Sequence, residues 1–327
     1  MMGQKRIRSS NIELLRIVAM LLIIFGHSYL RTHHALNIFD TILSCITTTG
    51  VGIFIAISGW FGIHLRKKGL SQYIFQVLFI LWTVYGLAIA FHIADFNAAG
   101  IKISLSFYEG YWFVLGYLGL YLASPILNSF VEHATKREFQ MALVSYYLFQ
   151  GYYSWLSAWY DYYGGYSIVL FSGIYLTAAY LRKYPIAWMQ KHALKLLVLT
   201  ILLMSTIACL SLWKYGHAAR QIRDDNPLVI LASILMLLSF SKLKFQSRVV
   251  NWLAASCFAV YLIHYSPFVY PYVMQFMHSV YMQFDGLLYM VVLVISLLAI
   301  YFACALYDQV RILAWKAVLL LKKTTRE

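Results

Sequence analysis

Apolar runs of about twenty residues follow one another along almost the whole of this 327-residue chain, and in hydrocarbon such runs have few folding options. With no water to pair with, every peptide N–H and C=O inside a bilayer must be satisfied by the protein, so only helices and closed barrels cross it. Runs of about twenty apolar residues, interrupted by charge or turn residues, read as membrane-crossing helices. Ten candidate spans centre on residues 12–30, 41–63, 72–94, 111–131, 138–152, 165–182, 193–213, 227–241, 250–270 and 286–310. Composition agrees: 62% of residues are hydrophobic, mean hydropathy is +0.70 and 12% are charged, about half the charged fraction of an ordinary soluble domain. The expected fold is an all-α polytopic membrane protein of about ten transmembrane helices. No internal repeat, low-complexity linker or loop large enough for a soluble module interrupts it, so residues 1–327 read as a single membrane domain. Cys45, Cys209, Cys257 and Cys304 lie in apolar segments without CxxC spacing; neither a disulfide framework nor a metal site is expected.

Lysine and arginine orient the spans. With a cytosolic N-terminus, twenty of the 26 basic residues fall at the two termini and in alternate loops, while Arg31, Lys102, Lys214, Arg220 and Arg223 fall on the other side and Arg16 sits within the first span. Positive charge is retained on the cytosolic side, so both termini are placed there. The formal net charge of +14 is then a topology signal with attraction to anionic membrane lipids, and nucleic acid is not an expected partner.

The first span, NIELLRIVAMLLIIFGH from Asn11 to His27, carries Glu13, Arg16 and His27. At about 100° per residue, the eleven steps from Arg16 to His27 return to within about 20° of the same direction, about 16 Å further along the axis. Glu13 precedes Arg16 by three residues, shares its face and is placed to hold its guanidinium. Ionisable groups are costly in hydrocarbon, so three on one stripe point to a buried functional surface. The plainer alternatives are a helix-end pair snorkelling to the interface and a hydrogen-bonded histidine near the far side. On the topology above, Arg16 lies toward the cytosol and His27 toward the opposite face. A cation at one level and an imidazole at another suit a substrate whose anionic end stays cytosolic while its reactive end reaches inward, as a coenzyme A thioester does.

Four segments, taken in order, resemble the acyltransferase 3 family of polytopic membrane acyltransferases, which includes O-acetyltransferases of bacterial capsules, O-antigens and other surface glycans. Arg16 and His27 in IELLRIVAMLLIIFGH match the family's arginine, ten residues, histidine signature. GVGIFIAISGWFGI, from Gly50 to Ile63, is similar to its glycine-valine, Ser-Gly-aromatic segment, with Ser58 and Gly59 at the centre. YWFVLGYLGLYLASPILN, from Tyr111 to Asn128, resembles its Trp-Phe, Tyr-Leu, Pro-x-Leu-Asn helix, and FAVYLIHYSP, from Phe258 to Pro267, its late Tyr-Leu-Ile-His element.

The resemblance implies a multi-pass protein of the bacterial cell membrane, acetyl-CoA as the acyl donor, and a glycan or lipid-linked glycan precursor as acceptor. It implies that His27 is the catalytic histidine and that Arg16 orients or neutralises the donor. Some members carry an arginine-rich motif in the cytosolic loop after the second span; HLRKKG, from His64 to Gly69, stands there. Arg66, Lys67 and Lys68 take a phosphate-binding role by charge and position, although their spacing departs from the Arg-x-Arg and Arg-x-x-Arg patterns, and ordinary positive-inside anchoring is the alternative.

The chemistry asks for a base to take the proton of a sugar hydroxyl as it attacks the thioester, and neutral imidazole suits that task. His27 either serves as that base or is transiently acetylated; Glu13 fixes Arg16, and His264 is a candidate second proton-transfer or hydrogen-bonding group. On the acceptor side, GYYSWLSAWYDYYGGY, from Gly151 to Tyr166, surrounds Asp161 with aromatic rings including Trp159. It reads either as a sugar-binding surface or as an interfacial aromatic belt. Tyr111 and Trp112 either line the substrate cavity or anchor their helix. The sequence leaves two other classes open. One is a polytopic transporter using Glu13, Arg16 and His27 as a proton or ion pathway, against which stands the absence of a repeated half; the other is a non-catalytic partner in glycan assembly.

Overall fold

The computed structural model describes residues 9–32, 37–105, 111–157, 167–218 and 220–324. The first helices are α1 (Ser10–Thr32), α2 (Ile38–Thr47), α3 (Thr49–Phe61), α4 (Lys67–Ala90) and α5 (Ala98–Ser104). Next come α6 (Trp112–His133), α7 (Lys136–Gln150), which continues as a π-turn over Gly151–Leu156, α8 (Ile168–Lys183), α9 (Ala187–Lys191) and α10 (Ala193–Tyr215). The last are α11 (Pro227–Ser241), α12 (Arg248–Ala254), α13 (Cys257–His264), α14 (Tyr270–Gln283) and α15 (Gly286–Thr324). No strand occurs among the described residues.

The described parts of the ten candidate spans are largely helical, and among the described residues six stretches are long and apolar enough to cross a membrane: Ser10–Ser28, Ile38–Phe61, Lys67–Ala90, Trp112–His133, Ala193–Tyr215 and Gly286–Leu321. Pro227–Ser241 is a shorter apolar helix. The expected span over 250–270 is not one helix: it breaks at Ala255–Ser256 into α12 and α13.

The helices are patterned for lipid. On α10 the buried positions include Thr200, Ser205, Ala208 and Ser211, whereas Leu199, Leu202, Leu203 and Leu210 are exposed. On α15, Leu288, Val291, Ile295 and Phe302 face outward while Ser296, Asp308 and Arg311 are buried. Leu197, Met204, Leu293 and Leu297 are buried too, but burying so many small and polar residues while most of the leucine faces outward departs from a soluble helix. In hydrocarbon it follows from the loss of any driving force to hide leucine, which leaves close packing and hydrogen bonds to hold helices together.

The chain forms two compact units. The first comprises 1–23, 35–63 and 126–255, and the second 24–34, 64–125 and 256–327.

In the first unit α3 packs on α8 and α11, and α10 on α2 and α11. Gly59 makes the first contact possible, because a Cβ there would strike the backbone of Tyr175. At the end of α3 the chain is tied by a small network. Asn128 Nδ2 donates to the Ile63 carbonyl at 2.6 Å, Tyr175 Oη donates to Asn128 Oδ1 at 2.6 Å, and the Ile63 N–H donates to Tyr175 Oη at 2.9 Å. The asparagine of the Pro-x-Leu-Asn segment thus fixes where the second span ends.

In the second unit α13 packs on α4 and α15, and α14 on α15. Tyr73 Oη donates to the Val114 carbonyl at 2.7 Å, and Tyr73 stacks with Phe258 at 5.3 Å. These contacts seat α13, which carries His264.

A candidate acyl-transfer site

α13 is eight residues long, and His264 is its last. Its Nδ1 lies 2.7 Å from the carbonyl of Val260, one turn earlier. A carbonyl can only accept, so Nδ1 carries the proton and Nε2 of a neutral His264 is an acceptor. That Nε2 lies 3.1 Å from Nδ1 of His27. Two lone pairs would repel at that distance, so His27 donates from Nδ1, and the lone pair of a neutral His27 sits on Nε2. The Val260 carbonyl therefore sets the tautomer of both rings.

Aromatic packing holds the pair in place. The Tyr265 ring stacks on His27 with centroids 4.1 Å apart and planes 24° apart, and Tyr270 Oη donates to the His27 carbonyl at 2.7 Å. The two tyrosines meet edge-on at 5.0 Å. His264 is fully buried, and His27 is partly buried. An imidazole so restrained has one tautomer and one orientation, which is the preparation a general base or nucleophile needs.

The other sequence candidates separate by position. Tyr111 is fully buried, donates to the Leu262 carbonyl at 3.2 Å and lies edge-on to Tyr261 at 6.2 Å; it shapes the helix that carries His264. Trp112 opens α6, its ring edge-on to Phe113 at 5.9 Å. Arg66, Lys67 and Lys68 are exposed. Lys67 and Lys68 open α4, and the turn before them is held by Tyr121, whose hydroxyl accepts from the Arg66 N–H at 3.4 Å and donates to the His64 carbonyl at 3.3 Å. Gly69 leaves room for that hydroxyl, which a Cβ would strike. Trp159 and Asp161 lie outside the described residues.

Glu13 and Arg16 belong to the first unit and meet as their spacing predicts. Arg16 Nη1 reaches both carboxylate oxygens of Glu13, at 2.9 and 3.2 Å. Asn11, turned away from that face, donates to the Phe240 and Ser241 carbonyls at 3.1 and 3.3 Å. Sequence reasoning missed Tyr265 and Tyr270 as the residues that hold His27. Tyr265 stands beside His264 in YLIHYSP and was the available signal; Tyr270 gave none.

The sequence profile of a family described as an acyltransferase domain matches residues 9–307. The chain belongs to the acyltransferase 3 family. The match takes in Arg16, His27, the HLRKKG loop and His264, and it runs through both compact units. No curated protein and no solved structure matches. Membership and the apolar helices together make this a multi-pass membrane acyltransferase.

Proposed function

We propose that the protein is an O-acetyltransferase that moves an acetyl group from acetyl-CoA to a hydroxyl of a cell-surface polysaccharide or its lipid-linked precursor. The observation that carries this reading is the hydrogen-bonded series Val260 carbonyl, His264, His27, which directs a basic nitrogen away from its own hydrogen-bonded support. In the proposed step His27 Nε2 takes the acceptor's hydroxyl proton as that oxygen attacks the thioester carbonyl. The C–S bond then breaks, and the proton passes to the departing thiolate, giving the acetyl ester and coenzyme A. The developing positive charge on His27 is delocalised toward His264 through the 3.1 Å contact, and Tyr265 keeps the ring from rotating. Arg16 is assigned to the anionic part of the donor, and Glu13 to holding Arg16. The bacterial cell membrane is the expected location, with both termini in the cytosol.

The test is acetyl transfer by purified protein in lipid nanodiscs, with acetyl-CoA and an extracted glycan acceptor, read by mass spectrometry as an acetyl increment. His27→Ala abolishes the increment while the variant still elutes and melts as the wild type does. His264→Ala lowers turnover less, because the Nε2 of His27 survives without its orienting partner. Retained turnover in His27→Ala overturns the assignment; an acetylated His27 trapped by rapid acid quench replaces the base with a covalent route.

A further inference from the structure

A second polar site lies wholly within the first unit, away from the histidine pair. The ends of α3, α8 and α11, the short α9 and the start of α1 line an open cavity of about 670 Å³. Three cations line it, Arg182, Lys191 and Lys242, and no carboxylate does among the described residues. They come from three separate elements, which sequence spacing alone does not bring together. All three are exposed, and none forms an ion pair among the described residues.

Part of this charge has a structural task. Helix C-termini present unpaired carbonyls that basic side chains satisfy. Arg182 donates from one nitrogen to the Trp60 carbonyl at the end of α3, and Lys242 donates to the Lys191 carbonyl at 3.0 Å. Capping uses one donor of each. A guanidinium has five N–H donors and an ammonium three, so most of the donor capacity of the rim is left over. The Arg182 guanidinium also lies 5.9 Å from the Trp60 ring centroid and 5.3 Å from that of Phe61, and this contact stiffens it over an aromatic floor. Asn11 turns its amide onto backbone carbonyls instead, so the cations set the chemistry of the cavity.

We infer that this cavity binds an organic phosphate. Three uncompensated cations, several of their N–H donors unspent, suit tetrahedral phosphate oxygens, and the volume exceeds what a bare phosphate ion needs. On the charge-derived topology all three cations are cytosolic, so the phosphate comes either from an anionic lipid headgroup or from a soluble nucleotide such as the phosphorylated end of the donor. The nucleotide source rests on the acetyl-CoA reading above; the cavity itself does not.

The experiment uses full-length protein in phosphatidylcholine nanodiscs. One arm measures binding of adenosine 3′,5′-bisphosphate by thermophoresis, and the other counts phosphatidylglycerol retained in native mass spectra after delipidation. Lys191→Gln combined with Lys242→Gln leaves the Arg182 cap intact, and its melting temperature and elution are compared with those of the wild type. It is expected to weaken one of the two probes at least tenfold, with Lys→Arg at both positions restoring it and Lys214→Gln leaving it unchanged. Loss in the first arm assigns a nucleotide, loss in the second a lipid headgroup. Equal binding by wild type and the double variant in both arms, or no binding of either probe by the wild type, overturns the inference. Probe binding in a protein that transfers no acetyl group defeats the enzymatic reading alone.

Discussion

Glu13 and Arg16 on α1, and Asp308 and Arg311 on α15, are both an acid followed three residues later by an arginine, yet the two pairs are built differently. Arg311 grips Asp308 as a fork, Nε to one oxygen and Nη2 to the other, each at 2.7 Å, with side chains 5% and 0% exposed. Arg16 meets both oxygens of Glu13 with Nη1 alone, and its side chain is 34% exposed against 9% for Glu13. The fork spends the matched donors and acceptors of both groups on each other. The single-nitrogen contact leaves Nε and Nη2 of Arg16 with no bond to a described residue. Equal spacing therefore yields one closed pair suited to structure and one open pair suited to a ligand.

The sharpest way to break this comparison is to remove one member of the closed pair. Arg311→Met strands a buried carboxylate, and losing one partner of a buried pair costs about 3–5 kcal/mol. Little folded protein is expected in detergent, by size-exclusion chromatography and thermal melt. Replacing both residues, Asp308→Leu with Arg311→Met, is expected to recover most of that loss, since an apolar pair of similar volume leaves no charge uncompensated. A single variant as stable as wild type would show that the fork does not support the fold.

A third acid and guanidinium sharpen the contrast from another direction. Arg223 forks onto the fully buried Asp225, Nε to Oδ1 at 3.0 Å and Nη2 to Oδ2 at 2.6 Å, and Asp225 also accepts from the Ser154 hydroxyl. Its neighbour Asp224 shares none of these bonds, and its pKa is pushed from 3.8 up to about 7, first by burial and then by the charge of Asp225. The folded protein keeps this proton where the unfolded chain releases it. The group's contribution to stability is therefore fully present below about pH 4 and lost as pH rises toward 7. Asp224→Asn cannot release the proton, so the fall in melting temperature between about pH 4 and 7 is expected to flatten. An unchanged slope would place the titration elsewhere.

Next in size is Arg16→Gln. A hydrogen bond to a charged group contributes about 1.5–3 kcal/mol, so losing the open donors of Arg16 is expected to raise the KM for acetyl-CoA at least tenfold. Because the pair is partly exposed, the melting temperature should barely move. A large stability loss with unchanged KM would make Arg16 another Arg311.

These pairs also mark what was legible in the sequence. A contact three residues apart on one helix follows from helical geometry, so the Glu13–Arg16 bond was readable in advance. Continuous apolar runs revealed the helices for the same local reason. Burial was not readable: Arg311 counted among the cytosolic cations, and only packing of α15 within its unit takes it out of solvent. The contact between His27 and His264 joins residues 237 positions apart, and each was found only as a member of its own motif. The break at Ala255–Ser256 escaped because neither residue is a glycine or proline to punctuate the apolar run. The cation-lined cavity escaped because Arg182, Lys191 and Lys242 sit at helix ends where positive charge already had an explanation.

Glu13→Gln tests the open pair from its quieter side and carries the smallest expected effect. The substitution keeps the size and one acceptor oxygen of Glu13 but removes its charge. Arg16 then loses a Coulomb partner while remaining hydrated, so stability should change by no more than about 1 kcal/mol, the usual range for pairs that water can reach. Activity should fall less than in Arg16→Gln, because the guanidinium persists and only its orientation is loosened. If Glu13 acts solely through Arg16, the two substitutions are not additive, and the double variant should lose no more activity than Arg16→Gln alone. An additive loss would give Glu13 a contact of its own with the reacting molecules, and the carboxylate would then move from positioning residue to catalytic one.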